Sequence, residues 1–336
     1  MKLLRNISFP FVPVYYLVTW TRNKMYDLGI KTSKSYTIPV VCVGNLSVGG
    51  TGKTPMIEYL IRLLKDKHKV ATLSRGYKRK TSGFQMANKD SWAESIGDEP
   101  FQFYNKFKNE IIVAVDSNRQ NGIEKIQSFD DSVSVILLDD AFQHRKVKAG
   151  LNILLTTSDF LYVDDFLLPT GNLREPKSGA RRADIIVVTK CPKTLSNEEK
   201  INIVKKLKPN SNQKVFFSSI QYSNFIVNKN KKINLHDVND FTLVTGIANA
   251  NPLVSFLKSE NRKFEHLSFK DHHEFSERDI SQFSNEELIL TTEKDFMRLQ
   301  NNVVLNEKLF YLPIEVKIYN STEFNNLVHN FVKKEK

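Results

Sequence analysis

The chain has 336 residues, of which 40% are hydrophobic and 26% are charged, as in an ordinary globular protein. Its length exceeds the size at which one hydrophobic core usually suffices, so we expect two domains. The formal net charge of +12 favours an anionic partner, and nucleic acid, a membrane surface or a phosphorylated substrate would each meet that requirement. The two cysteines, Cys42 and Cys191, give no disulfide framework, fit a reducing compartment and argue against a zinc site.

An uncharged apolar stretch, residues 7–20, lies near the N-terminus with basic residues on both sides. It is shorter than the roughly 20 apolar residues of a membrane-spanning helix, and Pro10 and Pro13 interrupt it, so we do not expect it to span a bilayer. No small-residue cleavage site follows, which argues against a secretory signal. Residues 1–36 contain six Lys or Arg and one Asp, a net charge of +5, which favours a membrane-interfacial segment. A helix packed on the protein's own core is the alternative.

The most informative motif, residues 47–54, reads Ser-Val-Gly-Gly-Thr-Gly-Lys-Thr. An apolar run at 38–43 precedes it and a helix-forming segment at 55–65 follows, so the glycines lie in a strand-to-helix turn. Such a turn surrounds phosphates with backbone N–H groups, while the lysine reaches the β- and γ-phosphates and the final threonine binds Mg²⁺. A serine replaces the usual first glycine, and a merely flexible turn is the alternative. The predicted phosphate-binding residues are Ser47, Val48, Gly49, Gly50, Thr51, Gly52, Lys53 and Thr54.

Apolar runs then alternate with helical patterns. Predicted strands lie at residues 70–73, 111–115, 133–138, 151–156 and 185–189, and predicted helices at 101–108, 120–127 and 197–207. This alternation predicts an α/β fold like that of P-loop NTPases, with a mostly parallel sheet covered by helices on both faces. Ligands should bind at the carboxyl ends of these strands.

Three acids stand at the ends of predicted elements. Asp139 and Asp140 follow the strand at 133–138, where a nucleotide-binding fold holds Mg²⁺, although two turn or N-cap acids would look the same. Asp98 opens a helix, and it is either the N-cap of that helix or an acid that accepts a proton from an attacking hydroxyl.

Two arginines and one partial motif bear on nucleotide binding. Arg75, after the second strand, and Arg174, in a loop at 168–176, are either phosphate contacts or surface charges. Residues 189–191 resemble the start of a guanine-reading motif, but Pro192 replaces the acid that would bind the purine. This replacement argues against GTP and leaves ATP as the expected nucleotide.

A polar, lysine-rich stretch at 223–238 has a two-sided pattern that predicts a hairpin between domains, and a smaller α/β unit follows. Its predicted strands lie at 242–244, 264–267, 288–290 and 309–314, and a closing helix at 324–332. The predicted divisions are an N-terminal segment at 1–36, a P-loop kinase domain at 37–222, a linker at 223–240 and a C-terminal domain at 241–336.

The C-terminal unit contains two polar stretches of chemical interest. His272 and His273 are adjacent, so one working imidazole and one surface residue are more expected than a metal clamp, and a surface loop is the alternative. Residues 291–295, Thr-Thr-Glu-Lys-Asp, follow a strand and either touch nucleotide or stabilise the domain interface.

Taken together, these stretches resemble the tetraacyldisaccharide 4′-kinase family, the lipid A 4′-kinases of Gram-negative inner membranes. The resemblance rests on the apolar N-terminal segment and on VGNLSVGGTGKTP, SRGY, GDEP, LLDDAFQHR, LPTGNLREP, the DH of DHHEF and TEKD, in that order. This family has Ser or Thr where Ser47 stands, so the departure from the common motif supports the resemblance.

The resemblance implies that ATP phosphorylates the 4′-hydroxyl of a tetraacyl glucosamine-disaccharide 1-phosphate to give the lipid A precursor lipid IVA. It implies that Asp98 is the base and that His272 pairs with it. The other implied roles are phosphate and Mg²⁺ binding by Lys53 and Thr54, Mg²⁺ binding by Asp139 and Asp140, lining of the site by Arg174, Gln143 and His144, and phosphate contacts by Arg75 and Arg119.

The resemblance also implies a peripheral or monotopic enzyme at the cytoplasmic face of the inner membrane, since a four-chain lipid leaves a bilayer only at high cost. We expect a monomer that binds no nucleic acid and whose two domains close to bring Asp98 and His272 together. One alternative is a soluble P-loop ATPase or GTPase that acts on a small molecule or metal centre. Another is a basic nucleic-acid-binding protein, although no RRM, zinc-finger or helix-turn-helix signature is present.

Overall fold

The computed structural model describes residues 8–334 of the chain. Fifteen strands in these residues form two sheets, one of nine strands and one of six. The strands are β1 (Val40–Asn45), β2 (Val70–Ser74), β3 (Gln85–Met86), β4 (Ile112–Val115), β5 (Val135–Asp139), β6 (Leu151–Thr157), β7 (Ile185–Thr189), β8 (Lys214–Tyr222), β9 (Phe225–Val227), β10 (Lys232–Asn234), β11 (Asp240–Thr245), β12 (Lys263–Ser268), β13 (Ile289–Thr291), β14 (Leu309–Tyr311) and β15 (Ile314–Ile318).

Helices connect most of these strands. Those described are α1 (Val12–Asp27), α2 (Lys53–Leu64), α3 (Ala93–Ile96), α4 (Asp98–Phe107), α5 (Arg119–Phe129), α6 (Asn197–Leu207), α7 (Asn251–Ser259), α8 (Glu277–Phe283), α9 (Glu293–Leu299) and α10 (Ser321–Lys334). Short 3₁₀ helices lie at Phe9–Phe11, Lys108–Glu110, Tyr162–Asp164, Lys177–Arg182, Leu235–Asp237 and Val303–Leu305.

The larger sheet has the strand order β15-β8-β7-β6-β1-β5-β2-β4-β3 in the described residues. The seven strands from β8 to β4 run parallel, and β15 and β3 pair antiparallel at the two edges. Strands β1, β2, β4, β5 and β7 are buried along their whole length, because apolar clusters cover both faces of the sheet. The predicted α/β fold with a mostly parallel sheet is confirmed.

The smaller sheet has the order β10-β9-β14-β13-β11-β12, with β14, β13, β11 and β12 parallel. The predicted hairpin at 223–238 exists, but β9 and β10 pair antiparallel and form the edge of this sheet. The hairpin is therefore part of the second unit rather than a separate linker.

The single strand predicted at 309–314 is wrong, because Pro313 separates two strands that join different sheets. Strand β14 stays in the smaller sheet, whereas β15 pairs with β8 in the larger one. Helix α10 follows β15, and its buried Phe324, Val328 and Val332 pack in the same apolar cluster as α2. Residues 314–334 therefore belong with the first unit, although the predicted C-terminal division included them.

The N-terminal helix departs from its prediction in one respect. Pro13 lies in the first turn of α1, where its missing N–H is not needed, so it starts the helix instead of interrupting it. Residues 1–7, which include the first residue of the predicted apolar stretch, lie outside the described part of the chain. Within residues 8–334, no helix combines the length and the apolar character that crossing a membrane requires.

Candidate active site

The turn at 46–52 connects the buried strand β1 to helix α2. Gly49 and Gly52 have φ angles of 114° and 88°, in the left-handed region that favours glycine. The Thr189 hydroxyl, at the end of β7, donates to the carbonyl of Thr51 at 2.8 Å and fixes the far side of the turn. Ser47 forms an isolated antiparallel bridge with Leu173. Val48, Gly49 and Gly50 remain exposed, so the turn is open to an anion as predicted for a phosphate cradle.

Lys53 and Arg174 converge on Asp140. Nζ of Lys53 lies 3.8 Å from Oδ1 of Asp140 and 3.4 Å from Oδ1 of Asn45. The Arg174 guanidinium donates to both carboxylate oxygens of Asp140, with Nη2···Oδ1 at 2.8 Å and Nη1···Oδ2 at 3.2 Å, and Nη2 also contacts Asn45. Burial opposes ionisation of Asp140, but the charges of Lys53 and Arg174 outweigh it and lower the pKa of Asp140. Arg174 is therefore held beside the phosphate cradle by Asp140 and Asn45 and is not a free surface charge.

Asp139 ends β5 and is buried at the carboxyl edge of the sheet. Its Oδ2 accepts a hydrogen bond from the Ser74 hydroxyl at 3.2 Å, whereas Oδ1 is buried with no hydrogen-bond partner. Burial, and then the neighbouring Asp140 and Glu99 carboxylates, raise the pKa of Asp139 to about 7. Such an orphaned oxygen beside a second carboxylate suits a cation, so the alternative of two turn or N-cap acids does not account for this pair.

These residues fit Mg²⁺ rather than a metal held by protein alone. The described residues contain no group of three or more His, Cys, Asp or Glu that could hold a metal ion. Asp139, Asp140 and the half-buried hydroxyl residue Thr54 supply a few hard oxygen ligands, and Mg²⁺ typically takes its remaining ligands from phosphates and water.

Asp98 faces the second unit from the first residue of α4. Nδ1 of His272 lies 3.3 Å from Oδ2 of Asp98. Nε of Arg298 donates to the same oxygen at 3.0 Å, and Nη2 of Arg298 also contacts it. The N-cap position belongs to Gly97, whose φ angle of 97° favours glycine, so the N-cap interpretation of Asp98 is wrong. The structure thus brings the two residues of the predicted pair together across the two sheets.

Both ring nitrogens of His272 contact charged side chains. Nε2 of His272 lies 3.1 Å from Nζ of Lys294, and an ammonium group can only donate. Nδ1 lies 3.0 Å from Nη2 of Arg298 and 3.3 Å from Oδ2 of Asp98, so a donor-only cation faces each ring nitrogen, and the tautomer with its proton on Nδ1 is the one that can donate to Asp98. The adjacent His273 points elsewhere, with Nε2 3.0 Å from Oδ2 of Asp279. The two histidines thus differ in surroundings, as expected from their adjacency.

Four further predicted residues lie around this edge of the sheet. Gln143 donates to the carbonyl of Asn45 at 2.8 Å, and Nε2 of His144 is buried with no partner. Burial, followed by nearby cations, lowers the pKa of His144 to about 4. Arg119 is buried and donates to backbone carbonyls of its own turn, and its charge helps to lower the pKa of Asp140, whereas Arg75 is exposed.

A model of the tetraacyldisaccharide-1-P 4′-kinase family, LpxK, matches residues 4–333 of the chain. The chain belongs to this family. A tetraacyldisaccharide 4′-kinase of Flavobacterium johnsoniae is 52% identical, over 99% of this chain and 98% of the relative. One of Bacteroides thetaiotaomicron is 45% identical, over 97% and 92%. The crystal structure of Aquifex aeolicus LpxK in complex with ATP is similar at a TM-score of 0.80 and 32% identity, over 98% of this chain and 99% of that chain.

The family, the fold class and the enzyme class predicted from the sequence are therefore confirmed. Within this kinase fold, two residues contact the site that the sequence analysis assigned no role. Asn45 is a buried polar residue at the carboxyl end of β1, and a polar residue at that end of a parallel strand could have been predicted to line a ligand site. Arg298 follows Lys294 by four positions and Asp295 by three, a spacing that puts all three on one helical face.

Proposed function

We propose that this chain transfers the γ-phosphoryl group of ATP to the 4′-hydroxyl of a tetraacyl glucosamine-disaccharide 1-phosphate, giving lipid IVA. The proposal rests on the positions of two groups of side chains, the phosphate-binding residues and the Asp98–His272 pair. The phosphate cradle with Lys53, Asp139 and Asp140 lies at the carboxyl edge of the larger sheet, and the Asp98–His272 pair joins that sheet to the smaller one. Family membership and the Aquifex aeolicus relative in complex with ATP support the choice of nucleotide.

Phosphoryl transfer asks a protein mainly for positioning and for stabilisation of charge. Backbone N–H groups of the turn at 46–52 would surround the β- and γ-phosphates. Lys53 would move from its contacts with Asn45 and Asp140 onto the phosphate oxygens, and Arg174 would stabilise the charge of the transferring group. Thr54, Asp139 and Asp140 would hold Mg²⁺, which when bound neutralises charge on the phosphates.

Asp98 would take the proton of the acceptor hydroxyl, because it is a carboxylate held by the Arg298 guanidinium and the His272 imidazole, with the Lys294 charge nearby. Burial opposes ionisation of Asp98, but hydrogen bonds from His272 and Arg298 and the charge of Lys294 lower its pKa to about 2. The base is therefore deprotonated at neutral pH. A weak base suffices here, since the transition state is loose and gains little from base strength. Asp98 and His272 are already in contact in this structure, so their meeting needs no further closure of the two units. Closure around the bound substrates stays a prediction.

The activity is tested directly with purified protein, γ-labelled ATP, Mg²⁺ and detergent-solubilised tetraacyldisaccharide 1-phosphate. We expect label in a bis-phosphorylated lipid, dependence on Mg²⁺, and a strong preference for ATP over GTP. Label that appears only as inorganic phosphate, at the same rate without the lipid, would contradict the kinase proposal and favour a soluble ATPase. Salt-sensitive binding to DNA or RNA with no lipid phosphorylation would favour the nucleic-acid alternative.

We propose that α1 lies in the interfacial region of the inner membrane, at its cytoplasmic face. One side of α1 is docked, because the Tyr15 hydroxyl donates to the carbonyl of Arg174 at 3.0 Å and Arg22 donates to the carbonyl of Gln143 at 2.8 Å. Its other side exposes apolar side chains, with Val14 and Val18 each 61% exposed. An exposed apolar face beside basic residues suits an anionic bilayer surface. The docked face contacts the backbone carbonyls of Arg174 and Gln143, two proposed site residues, and these contacts would keep the site next to the lipid surface.

Two valine pairs give a matched test of this surface. We expect V14S/V18S to weaken binding to vesicles of anionic phospholipid by roughly tenfold or more, because each change removes apolar surface from the interface. Val303 and Val304 are also exposed, at 81% and 60%, but lie in the C-terminal unit, so V303S/V304S should leave vesicle binding unchanged. Cosedimentation at two salt concentrations measures both variants. Equal binding by the two pairs would overturn the assignment of this face to the membrane.

A further inference from the structure

Arg298 joins the two sheets at the proposed base. It lies near the end of α9, and 200 positions separate it from Asp98. Nε and Nη2 both contact Oδ2 of Asp98, whereas Nη1 donates to Oδ1 of Asp295 at 3.1 Å. The Arg298 side chain is only 12% exposed, so these contacts are shielded from solvent. One guanidinium thus connects a carboxylate of the proposed site to a carboxylate of the second unit.

The second of these carboxylates is a fixed anchor. Asp295 is fully buried, and its Oδ2 accepts hydrogen bonds from the backbone N–H of Gly246 at 2.9 Å and from the Thr292 hydroxyl at 2.7 Å. Its other oxygen is then available to Arg298. A planar guanidinium can satisfy all of these acceptors with its nitrogens in fixed directions, which a lysine ammonium on a flexible stem cannot do. The arrangement therefore fixes Arg298, and Arg298 in turn fixes Asp98.

All hydrogen bonds and ion pairs of Asp98 with described side chains go to Oδ2, from Arg298 and His272. We propose that Arg298 is a positioning residue that holds Oδ2 of Asp98 and so leaves Oδ1 to receive the proton of the acceptor hydroxyl. This inference rests on the proposed function. In the step, the hydroxyl oxygen bonds to the γ-phosphorus, its proton passes to Oδ1, and the bond from the γ-phosphorus to the bridging oxygen breaks, so that ADP leaves with the electron pair.

The charges around Asp98 give this role a readout that a purely structural role lacks. The titratable groups that face it are Arg298 and His272 in direct contact and Lys294 nearby. Burial raises the pKa of Asp98, and the hydrogen bonds and charges of these groups lower it further than burial raises it. Without the hydrogen bonds and charge of Arg298, the effect of burial would be less opposed, and the pKa of Asp98 would rise. Asp98 would then become protonated, and activity would fall, at a higher pH than in the unchanged enzyme.

Two substitutions separate the geometry of Arg298 from its charge. We expect R298Q to lower kcat roughly tenfold to a hundredfold and to move the acid limb of kcat/KM to higher pH. We expect R298K to keep the acid limb near its original position but to lower kcat, since lysine retains the charge without the fixed directions. R278Q removes the same charge from an exposed arginine on α8 and should change neither the rate nor the pH profile.

The same measurements are made in the D98N background, in the lipid kinase assay and by thermal unfolding. If Arg298 acts through Asp98, adding R298Q to D98N lowers kcat by little more than D98N alone. A loss in R298Q with an unmoved acid limb, or losses that multiply in the double variant, would overturn the positioning role. Absence of lipid phosphorylation by the unchanged enzyme would instead contradict the proposed function, which keeps the two failures distinguishable.

Discussion

Replacing Lys53 with alanine is expected to lower kcat/KM for ATP by about 10³-fold or more, because it removes the cation that would contact the β- and γ-phosphates. The same change leaves Asp140 with Arg174 as its remaining ion-pair partner among the described residues, so the negative charge of the Asp139–Asp140 pair is less balanced where phosphates must bind. Both effects act against an anionic nucleotide. Initial rates at varied ATP, together with Mg²⁺–ATP binding by calorimetry, measure them.

Lys67 offers a matched control for this substitution. It lies just beyond the other end of α2 and is exposed, so K67A removes the same charge from the same part of the chain without touching the phosphate cradle. We expect K67A to keep the rate of the unchanged enzyme, and both variants to unfold at similar temperatures. A K53A enzyme that retained more than a tenth of the original kcat/KM would exclude Lys53 as a phosphate ligand.

The central strands of the larger sheet were predictable because they are buried on both faces and therefore read as continuous apolar runs, whereas β3 and β8, which are only partly buried, were not predicted. Strand β7 and helix α6 have the limits predicted for them, and α6 begins where Ser196 and Glu199 form a capping box. Strand β15 could not be predicted in the same way. Its burial alternates, and its place in the larger sheet depends on pairing with β8, which is remote in sequence.

The site shows the same division between local and remote information. The phosphate cradle was predictable because one stretch of eight residues contains the glycines, the lysine and the threonine that phosphate binding needs. The contact between Asp98 and Arg298 joins two residues 200 positions apart, and no local pattern reports such a pairing. The partnership of Asp98 with His272 followed from family resemblance rather than from spacing, and the adjacent histidines alone left it open.

The second large effect is expected at this pair. We expect D98A and H272A each to lower kcat by roughly 10²- to 10⁴-fold, because Asp98 would accept the hydroxyl proton and His272 orients it through the Nδ1···Oδ2 contact of 3.3 Å. If the two residues act as one unit, the double variant should lose little more than the worse single variant. The measurement is kcat at saturating ATP and lipid for all four enzymes.

His273 is the internal control for this cycle, because it is the same residue type one position away. Its Nε2 lies 3.0 Å from Asp279 and its ring stacks on Phe269 with centroids 4.7 Å apart, so H273A should affect packing of the second unit more than kcat. Losses that multiply in the D98A/H272A double variant would mean that the two residues act independently. His272 belongs to the unit of the smaller sheet and contacts Asp98 in the unit of the larger one. If the two residues acted independently, this contact would no longer support the assignment of Asp98 as the base.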